Sequence, residues 1–318
     1  MEDKGGRYLD LAWWSDMPNK VYKTSAHYER LTIEAARTVY WRVRRPSVPP
    51  PVILVGCSRA GTTVVHDTIA HSRALKAFRY EPRYFWQGLF DPAQRGWMSD
   101  GATAEDATPE VRRKVHEFYF KKLGGGRFLE KTCINGFKIP LLDALWPDAY
   151  FVHLHRDGRD NISSLINGWR RYEQFALYEL PVDTHIEGIP ERTWCFFLEP
   201  GWRDALGRPL EEVCAHQWVA INEAILASRE LVPPERWIEL RYEDIFTRPV
   251  EMFREVFERV DLPFNAEMHA YCRSLASHGV SLIGSAPAPG KWHRQNPEAI
   301  ERILPIIAPT MSKLGYEL

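Results

Sequence analysis

The stretch from Gly56 to Thr63 carries residue types that bind phosphate. Gly56 and Gly61 have the G-x-x-x-x-G spacing of loops that hold nucleotide phosphates, and Thr63 stands at the hydroxyl position. Thr62 occupies the lysine position of an ATP-binding loop, and the cation is Arg59 instead. Because a triphosphate site uses that lysine and a magnesium ion, we expect a single terminal 5′-phosphate here, with Arg59 reaching the oxygen beyond it. A glycine-containing turn that binds nothing is the alternative.

A second candidate anion site follows another apolar run. Arg156 comes directly after AYFVHLH, residues 149–155, and Ser164 lies eight residues further on. A guanidinium makes a permanently charged, bidentate contact with phosphate, and a serine hydroxyl adds a donor. The alternative is a surface ion pair of Arg156 with Asp157 or Asp160. Two anion sites on one chain are nevertheless more specific than either site alone.

Glu81 is the candidate general base. It lies in FRYEPRYFW, residues 78–86, a short way after the first loop. Its aromatic neighbours predict a partly buried carboxylate, and a positioned carboxylate can take the proton of a reacting hydroxyl. The alternative is that Glu81 pairs with Arg79 or Arg83 and only holds the loop.

The histidines are weaker candidates for a base. His66 lies in the expected first helix, and His153 and His155 alternate along an apolar run, so both point to one face of a sheet. Core histidines are therefore the preferred interpretation, and His116 is a second choice for a base. The scattered histidines and carboxylates and the lack of a CxxC pair predict that the protein binds no metal.

Three apolar runs predict the strands that position these groups. Each precedes a turn and a helical pattern, and they span residues 51–56, 149–155 and 236–242. Such runs are typical of buried parallel strands. Repeated strand–turn–helix units predict an α/β fold, a three-layer sandwich with a central parallel sheet flanked by helices. Helices are expected at 24–44, 62–71, 108–123, 211–230, 249–260 and 297–314.

The composition is typical of one large α/β domain. The chain has 318 residues, of which 45% are apolar, enough for a sizeable core. The formal net charge of −1 provides no global field to attract nucleic acid or an anionic membrane. We predict a single domain over 1–318, with an N-terminal extension at 1–50 and a lid or substrate-loop region at 170–210.

The cysteines and the apolar runs predict the cellular context. Five widely spaced cysteines fit reduced thiols better than a disulfide framework. The first residues lack the apolar core of a signal peptide, and no run approaches the roughly 18 apolar residues of a membrane span. We therefore expect a cytoplasmic protein without stable membrane insertion. The sequence does not indicate an oligomeric state.

The motif SRAGTT resembles the P-K-S-G-T-T-W loop of sulfotransferases that use 3′-phosphoadenosine 5′-phosphosulfate (PAPS). Arg59 falls at the family lysine, Ala60 replaces the serine, and Val64 replaces the tryptophan. The resemblance implies a P-loop-like nucleotide-binding fold with PAPS as the cosubstrate and no metal. It also implies a loop that binds the 5′-phosphosulfate through Ser58, Arg59, Ala60, Gly61, Thr62 and Thr63.

Later segments are similar to other motifs of this family. Arg156 and Ser164 match the pair that binds the 3′-phosphate. Tyr242, in LRYEDI, matches a residue that often contacts the adenine, and a packing role is its alternative. GKWH is similar to a late motif that covers the 3′-phosphate, which implies donor contacts of Lys291 and Trp292. A solvent-facing lysine is the alternative for Lys291.

Two segments resemble the catalytic part of the family. The E-P-R sequence around Glu81 is similar to the segment that carries the base in the protein-tyrosine and some carbohydrate branches. LEKTC resembles the family's EKTP segment, which implies that Lys131 either contacts the acceptor or structures the site. Arg59, which would stabilise the bridging oxygen, and Glu81 are then the catalytic residues.

The resemblance implies a sulfotransferase reaction. The sulfuryl group of PAPS would move to a hydroxyl of a small molecule, lipid or carbohydrate, leaving adenosine 3′,5′-bisphosphate (PAP). A P-loop kinase or another nucleotide-dependent transferase is one alternative. It is disfavoured by Thr62 at the lysine position and by the lack of an acidic magnesium-binding residue at the end of an apolar strand. A non-catalytic nucleotide-binding module is the other alternative.

Overall fold

A parallel sheet forms the centre of the fold. The computed structural model of the protein describes residues 17–278 and 289–318, so the first residues, from which we judged targeting, lie outside it. The strands are β1 Val52–Val55, β2 Lys76–Ala77, β3 Phe128–Lys131, β4 Tyr150–His155, β5 Ala176–Glu179, β6 Thr193–Cys195 and β7 Trp237–Arg241. Within the described residues, five of them pair in parallel in the order β2-β3-β1-β4-β7, and β5 pairs with β6 in antiparallel orientation.

Helices precede and follow the strands. All six predicted helices are present, and the first begins earlier than expected, at Met17. The α-helices are α1 Met17–Arg44, α2 Thr62–Ala70, α3 Arg83–Leu89, α4 Pro109–Leu123, α5 Ile139–Leu145, α6 Gly158–Trp169, α7 Tyr172–Phe175, α8 Leu210–Arg229, α9 Asp244–Thr247, α10 Pro249–Arg259, α11 Ala266–His278, α12 Trp292–Gln295 and α13 Pro297–Lys313.

Both faces of the sheet are covered. All four residues of β1 are buried, and successive side chains of a strand point to opposite faces. On one face, Val52 and Leu54 join a core with Phe253 and Phe257 of α10. Burial of Ile53 and Val55 as well requires helices on the other face. The architecture is therefore the predicted α/β fold with a parallel central sheet flanked by helices.

Strand β3 was missed by the sequence analysis because its second half, Glu130 and Lys131, is charged. Both side chains are nevertheless buried. The carboxylate of Glu130 accepts hydrogen bonds from Trp86, Thr132 and Asn135. Buried polar groups are tolerated when they are paired in this way, so an apolar run was not a complete test for a buried strand.

The chain divides into two compact units. One contains residues up to 47 together with 112–125, and the other contains 48–111 and 126–318. In the first unit, Lys122 Nζ donates to Glu34 Oε1 at 2.8 Å, and Arg42 Nε donates to Glu117 Oε1 at 3.0 Å. The prediction of a single domain stays a prediction.

The segment 170–210 contains more regular structure than the expected loops. It includes α7, the antiparallel pair β5–β6 and a 3₁₀ turn, Trp202–Ala205. Trp194 and Trp202 are fully buried, with ring centres 5.8 Å apart. Trp194 also packs on Trp169 of α6, with ring centres 5.3 Å apart, so large aromatic side chains hold the segment against the rest of the unit. A role as a lid stays a prediction.

Candidate functional site

A cavity of about 740 Å³ opens at the carboxyl ends of β1 and β4, within the larger unit. Ligands of open parallel α/β sheets bind at this edge. Ala60, Lys131 and Trp292 were also predicted to belong to the site but do not line the cavity. The predicted residues that line it are Ser58, Arg59, Gly61, Thr62, Thr63, Glu81, Arg156, Ser164, Tyr242 and Lys291.

The loop between β1 and α2 depends on two glycines. A Cβ at Gly56 would overlap the carbonyl oxygen of Leu154 in β4, and a Cβ at Gly61 would overlap the ring of Tyr242. Gly61 also has a φ of 105°, in the left-handed region that favours glycine. The loop therefore follows a path that larger residues at these two positions would block.

The amino end of α2 faces the cavity. The helix begins at Thr62, directly after the loop, and Gly61, Thr62 and Thr63 all line the cavity. The first N–H groups of a helix have no intrahelical partner, and the helix dipole favours an anion there. Ala60 is fully buried behind this surface, and Asn161 holds the loop by donating to the carbonyl oxygen of Ser58 at 2.9 Å.

Arg59 lies between the loop and α6. Its Nε donates to Ser164 Oγ at 3.3 Å, and its guanidinium carbon lies 5.1 Å from the centre of the Phe175 ring. Burial lowers the pKa of Arg59, and the charges of Arg171 and Arg156 lower it further. The three arginines repel one another, and a bound anion would relieve this repulsion.

Arg156 is a buried cation with one unused donor. Its Nη1 donates to the carbonyl oxygen of Arg59 at 3.2 Å, and its guanidinium carbon lies 4.5 Å from the centre of the Tyr242 ring. Asp160 is 3.9 Å away. The alternative of an ion pair with Asp160 is therefore present, but it is buried and not on the surface, since Arg156 is only 8% exposed. Its Nε is buried with no hydrogen-bond partner among the described residues, which indicates that a ligand supplies one.

Asp160 holds the segment that carries Lys291. The two carboxylate oxygens accept hydrogen bonds from the N–H groups of Gly290, at 2.7 Å, and Trp292, at 3.1 Å. Lys291 lines the cavity, and its pKa is lowered by burial and by the nearby charge of Arg156. The sequence analysis considered Asp160 only as an ion-pair partner. Its spacing of four residues from Arg156, one helical turn, was the signal for a shared site.

The ring of Trp292 lies away from the cavity lining. It stacks on His293 with ring centres 3.7 Å apart, and the Arg159 guanidinium carbon lies 5.9 Å from its centre. The structure thus brings the backbone of Trp292 to the site through Asp160. A donor contact of the Trp292 side chain stays a prediction.

Glu81, Lys131 and Cys133 form a hydrogen-bonded group. Lys131 Nζ donates to Glu81 Oε1 at 2.6 Å, and the Cys133 N–H donates to Glu81 Oε2 at 3.2 Å. Lys131 Nζ also donates to Thr63 Oγ1 at 3.4 Å. The carboxylate therefore pairs with Lys131. Within the described residues, neither Arg79 nor Arg83 forms an ion pair with it.

Charges fix the protonation of this group. Burial opposes the charge on Lys131, but Glu81 and Cys133 raise the pKa of the lysine above its ordinary value, so it is charged at neutral pH. Burial and the Glu81 carboxylate raise the pKa of the Cys133 thiol to about 11, so it stays neutral. Glu81 thus has one cationic and one neutral neighbour.

The aromatic residues around Glu81 are less buried than expected. Tyr80 and Tyr84 are each 75% exposed and line the outer part of the cavity. Arg83 Nη2 donates to the hydroxyl of Tyr84 at 3.2 Å. The Glu81 carboxylate instead contacts Lys131, the last residue of β3, and Cys133 just after it.

The histidines of β4 are core residues, as predicted. His153 and His155 are buried, and their ring centres lie 5.4 Å apart. Burial and the neighbouring His153 lower the pKa of His155 to about 3. His66 pairs with Asp67 through Nδ1 at 3.0 Å. None of these three lines the cavity.

Neither a metal site nor a membrane-spanning helix is found in residues 17–278 and 289–318. No group of three or more histidine, cysteine, aspartate or glutamate residues there is arranged to hold a metal ion. None of the helices described is both long enough and apolar enough to span a bilayer. A cytoplasmic location stays a prediction.

The comparison with protein families decides the family. The model described as "Sulfotransferase family" matches residues 50–266. This chain belongs to the sulfotransferase family. The match confirms the resemblance to this family, and the GKWH segment, residues 290–293, lies beyond the matched range.

Curated sulfotransferases are similar over part of the chain. Omega-hydroxy-beta-dihydromenaquinone-9 sulfotransferase Stf3 of Mycobacterium bovis is 26% identical over 167 residues, 52% of this chain and 36% of that protein. The Mycobacterium tuberculosis protein of the same name gives the same values. The match thus spans little more than a third of the length of these relatives.

Solved sulfotransferases share the fold. Sulfotransferase STF9 from Mycobacterium avium is 17% identical, with a TM-score of 0.52 over 89% of this chain and 82% of that one. Mouse sulfotransferase SULT7A1, complexed with PAP, is 12% identical, with a TM-score of 0.50 over 84% of this chain and 86% of that one. These similarities confirm the P-loop-like sulfotransferase fold.

Proposed function

We propose that this sulfotransferase-family protein transfers the sulfuryl group of PAPS to a hydroxyl of a small molecule, lipid or carbohydrate, and releases PAP. One observation carries the proposal: two adjoining sets of cationic and hydroxyl side chains, one around Arg59 and one around Arg156, line the same cavity as Glu81. A single phosphate would need only one set. A nucleotide with phosphoryl groups at both ends needs both.

Arg156, Ser164 and Lys291 would hold the 3′-phosphate. The unpartnered Nε of Arg156 and the lysine that Asp160 positions through its neighbours fit an anion there. Tyr242 is buried and lines the cavity, so both packing and an adenine contact suit its position.

Arg59 and the amino end of α2 would hold the 5′-phosphosulfate. In the described part of the chain, the terminal nitrogens of Arg59 have no hydrogen-bond acceptor, since its one donated bond there comes from Nε. A guanidinium with free donors beside a helix amino end suits a group whose negative charge grows as the reaction proceeds.

Glu81 would take the proton of the acceptor hydroxyl. The acceptor oxygen forms a bond to sulfur while the bond from sulfur to the phosphate oxygen breaks, and the phosphate leaves with that electron pair. Arg59 stabilises the leaving oxygen. Lys131 holds the Glu81 carboxylate and contacts Thr63, so the base and the donor loop keep one geometry.

The acceptor class is proposed more broadly than the donor. The curated relative is named for an omega-hydroxylated menaquinone, which supports a hydroxyl as the accepting group. Aromatic side chains at the outer cavity, Tyr80, Tyr84 and Phe175, suit an apolar or ring-containing acceptor body.

The test is nucleotide choice in a thermal shift assay. PAP at 100 times its Kd, without magnesium, adds about 2.7 kcal/mol to stability, and we expect a melting temperature raised by about 5 °C. ATP with or without magnesium should give no comparable rise. A larger effect of magnesium–ATP than of PAP would favour the kinase alternative.

Turnover is tested separately with labelled donor. PAPS carrying ³⁵S in its sulfuryl group, offered with phenols, alcohols, hydroxylated lipids and sugars, should give a labelled product from at least one class. PAP binding without any transfer would support a non-catalytic nucleotide-binding module.

A further inference from the structure

Arg171 lines the cavity but has no place in the donor site proposed above. It follows α6 at a helical spacing from Ser164 and Asn167, which also line the cavity. Residues three, four and seven apart share one face of a helix. The polar face of α6 therefore continues about two turns beyond the proposed 3′-phosphate site and ends at a guanidinium.

Arg171 keeps most of its donors unused. Its Nε donates to the carbonyl oxygen of Asn167 at 3.3 Å, and its guanidinium carbon lies 5.7 Å from the centre of the Phe175 ring. Among the described residues, no carboxylate forms an ion pair with it, and neither terminal nitrogen has an acceptor. These two nitrogens can therefore receive an anion without breaking an existing contact.

Two arginines pack against one aromatic ring. The guanidinium carbons of Arg59 and Arg171 lie 5.1 Å and 5.7 Å from the centre of Phe175. The charge of Arg171 contributes to the lowered pKa of Arg59. Like charges held this close to one cavity favour anionic ligands, and the 5′-phosphosulfate accounts for Arg59 alone.

The cavity lining next to Arg171 includes apolar side chains. Phe175, Leu177 and Phe196 line the cavity, and the rings of Phe175 and Phe196 have centres 5.2 Å apart. They come from α7, β5 and the residue after β6. A ligand that lies on these side chains would bring any anionic substituent next to Arg171.

We propose that Arg171 binds an anionic group of the acceptor, which is then a hydroxylated molecule with an apolar body and a carboxylate or phosphate group. This inference rests on the proposed function, because it assumes that the donor occupies the Arg59 and Arg156 ends. Arg171 is thus a specificity-determining residue. It selects among acceptors and leaves donor binding unchanged.

The experiment measures binding of matched probes to PAP-saturated protein by calorimetry. The probes are 6-hydroxyhexanoate, 10-hydroxydecanoate and 4-hydroxyphenylacetate, each beside its methyl ester, and 10-hydroxydecyl phosphate. In the wild type, at least one acid should bind about tenfold more tightly than its methyl ester, or the phosphate more tightly than methyl 10-hydroxydecanoate. A guanidinium–anion contact contributes about that much. Arg171→Gln should abolish the difference, and Arg171→Lys should restore part of it.

Arg73→Gln is the matched control. Arg73 is an exposed cation that pairs only loosely, at 3.7 Å, with Glu267, and it does not line the cavity. This variant should keep the preference of the wild type for the anionic probes. If the wild type binds carboxylate and phosphate probes equally tightly, Arg171 is a general anion site. If it binds one of them more tightly, that probe identifies the anionic group of the acceptor.

Three results would overturn the inference. One is a wild type that binds acids and esters equally. Another is an Arg171→Gln variant whose PAP affinity falls about tenfold, since Arg171 would then serve the donor. The third is an equal loss of kcat with acid and ester acceptors, which would place Arg171 on the sulfuryl group. Failure of the wild type to bind PAP would instead contradict the proposed function.

Discussion

The proposed phosphate end of the cavity is buried and hydrogen-bonded to the main chain, whereas the tyrosines at the proposed acceptor end are largely exposed to solvent. Thr62 is 5% exposed and Arg156 8%, but Tyr80 and Tyr84 are each 75% exposed. Arg156 donates to a main-chain oxygen, and Asp160 accepts from two main-chain N–H groups. The phosphate end is therefore preorganised before any ligand arrives.

The difference separates two tasks. A nucleotide of constant chemistry needs donors at constant positions, which burial and main-chain contacts supply. An acceptor is chosen by side chains at the rim, where substitutions change stability little. The two ends should consequently respond to mutation in different ways, and the following experiments test that contrast.

The largest effect is expected for Gly61→Ala. The new Cβ would overlap the Tyr242 ring, and the alanine would have to keep a φ of 105°. Together the overlap and the backbone strain cost about 2–6 kcal/mol. PAP binding, measured by titration, should fall on the order of a thousandfold, with a lower melting temperature.

Tyr242→Ala, alone and combined with Gly61→Ala, separates the two causes. Without the ring the overlap is gone but the backbone strain stays, so Gly61→Ala should cost less stability in the Tyr242→Ala background than in the wild type, though not zero. A Gly61→Ala variant with wild-type PAP affinity would show that the loop is not preorganised.

Glu81→Gln should give the next largest effect. Glutamine keeps the shape of the side chain but cannot accept the proton, so kcat should fall about 10²–10⁴-fold while PAP affinity is unchanged. Because the variant leaves Lys131 without its anionic partner, Glu81→Gln/Lys131→Met serves as the control for stability. Full turnover by Glu81→Gln would remove this residue as the base.

Arg156→Ala should weaken the donor and spare the acceptor. Loss of a buried charged hydrogen-bond donor costs about 2–3 kcal/mol, so the Kd for PAP should rise about 30–150-fold. Acceptor KM, measured at saturating donor, should change less than threefold. Equal losses of donor and acceptor affinity would contradict the division of the cavity into two ends.

Acid should destabilise the strand beneath the phosphate end. The pKa of His155 is lowered from 6.5 to about 3 in the folded protein, so the unfolded chain binds the proton first. The contribution of His155 to the free energy of unfolding is fully present above pH 6.5. It should fall by about 1.4 kcal/mol per pH unit between pH 6.5 and pH 3.

His155→Gln tests this dependence. Glutamine can still donate to the hydroxyl of Tyr316, which His155 Nδ1 contacts at 3.1 Å, but it does not titrate. Melting temperatures of the variant should fall less steeply than those of the wild type between pH 6.5 and pH 4. Parallel pH profiles for the two proteins would assign the acid sensitivity to other groups.

The smallest effect is expected for Tyr84→Ala at the acceptor end. An exposed side chain contributes little to folding, so unfolding free energy should change by less than about 0.5 kcal/mol, and PAP affinity should stay the same. Only acceptor KM should change, by a few-fold. A loss of PAP affinity here would show that the exposed rim also serves the donor.

Much of the phosphate end could be predicted because its residues are neighbours in sequence. Arg59, Gly61, Thr62 and Thr63 lie within one strand–turn–helix unit, where spacing alone determines which groups meet. The same holds for Arg156, in the turn between β4 and α6, and Ser164, within α6. Local motifs of this kind transfer from sequence to structure with little loss.

Glu81 and Lys131 were predicted as residues of the site and not as a contact. The sequence offered Arg79 and Arg83 as partners of Glu81, because they are near in the chain. The structure pairs Glu81 with Lys131, fifty residues away. Lys131 ends β3, a strand that the apolar pattern did not predict because half of its residues are charged.

The sequence by itself determined the glycine-containing loop after β1, the α/β class of the fold and the family, since all three depend on short-range spacing and apolar patterns. Only the tertiary structure decided that Lys131 holds Glu81, that Asp160 holds the Lys291 segment, and that Arg171 faces the same cavity as Arg59. These contacts join distant parts of the chain, and the order in which parallel strands pair, which no local pattern encodes, brings them together.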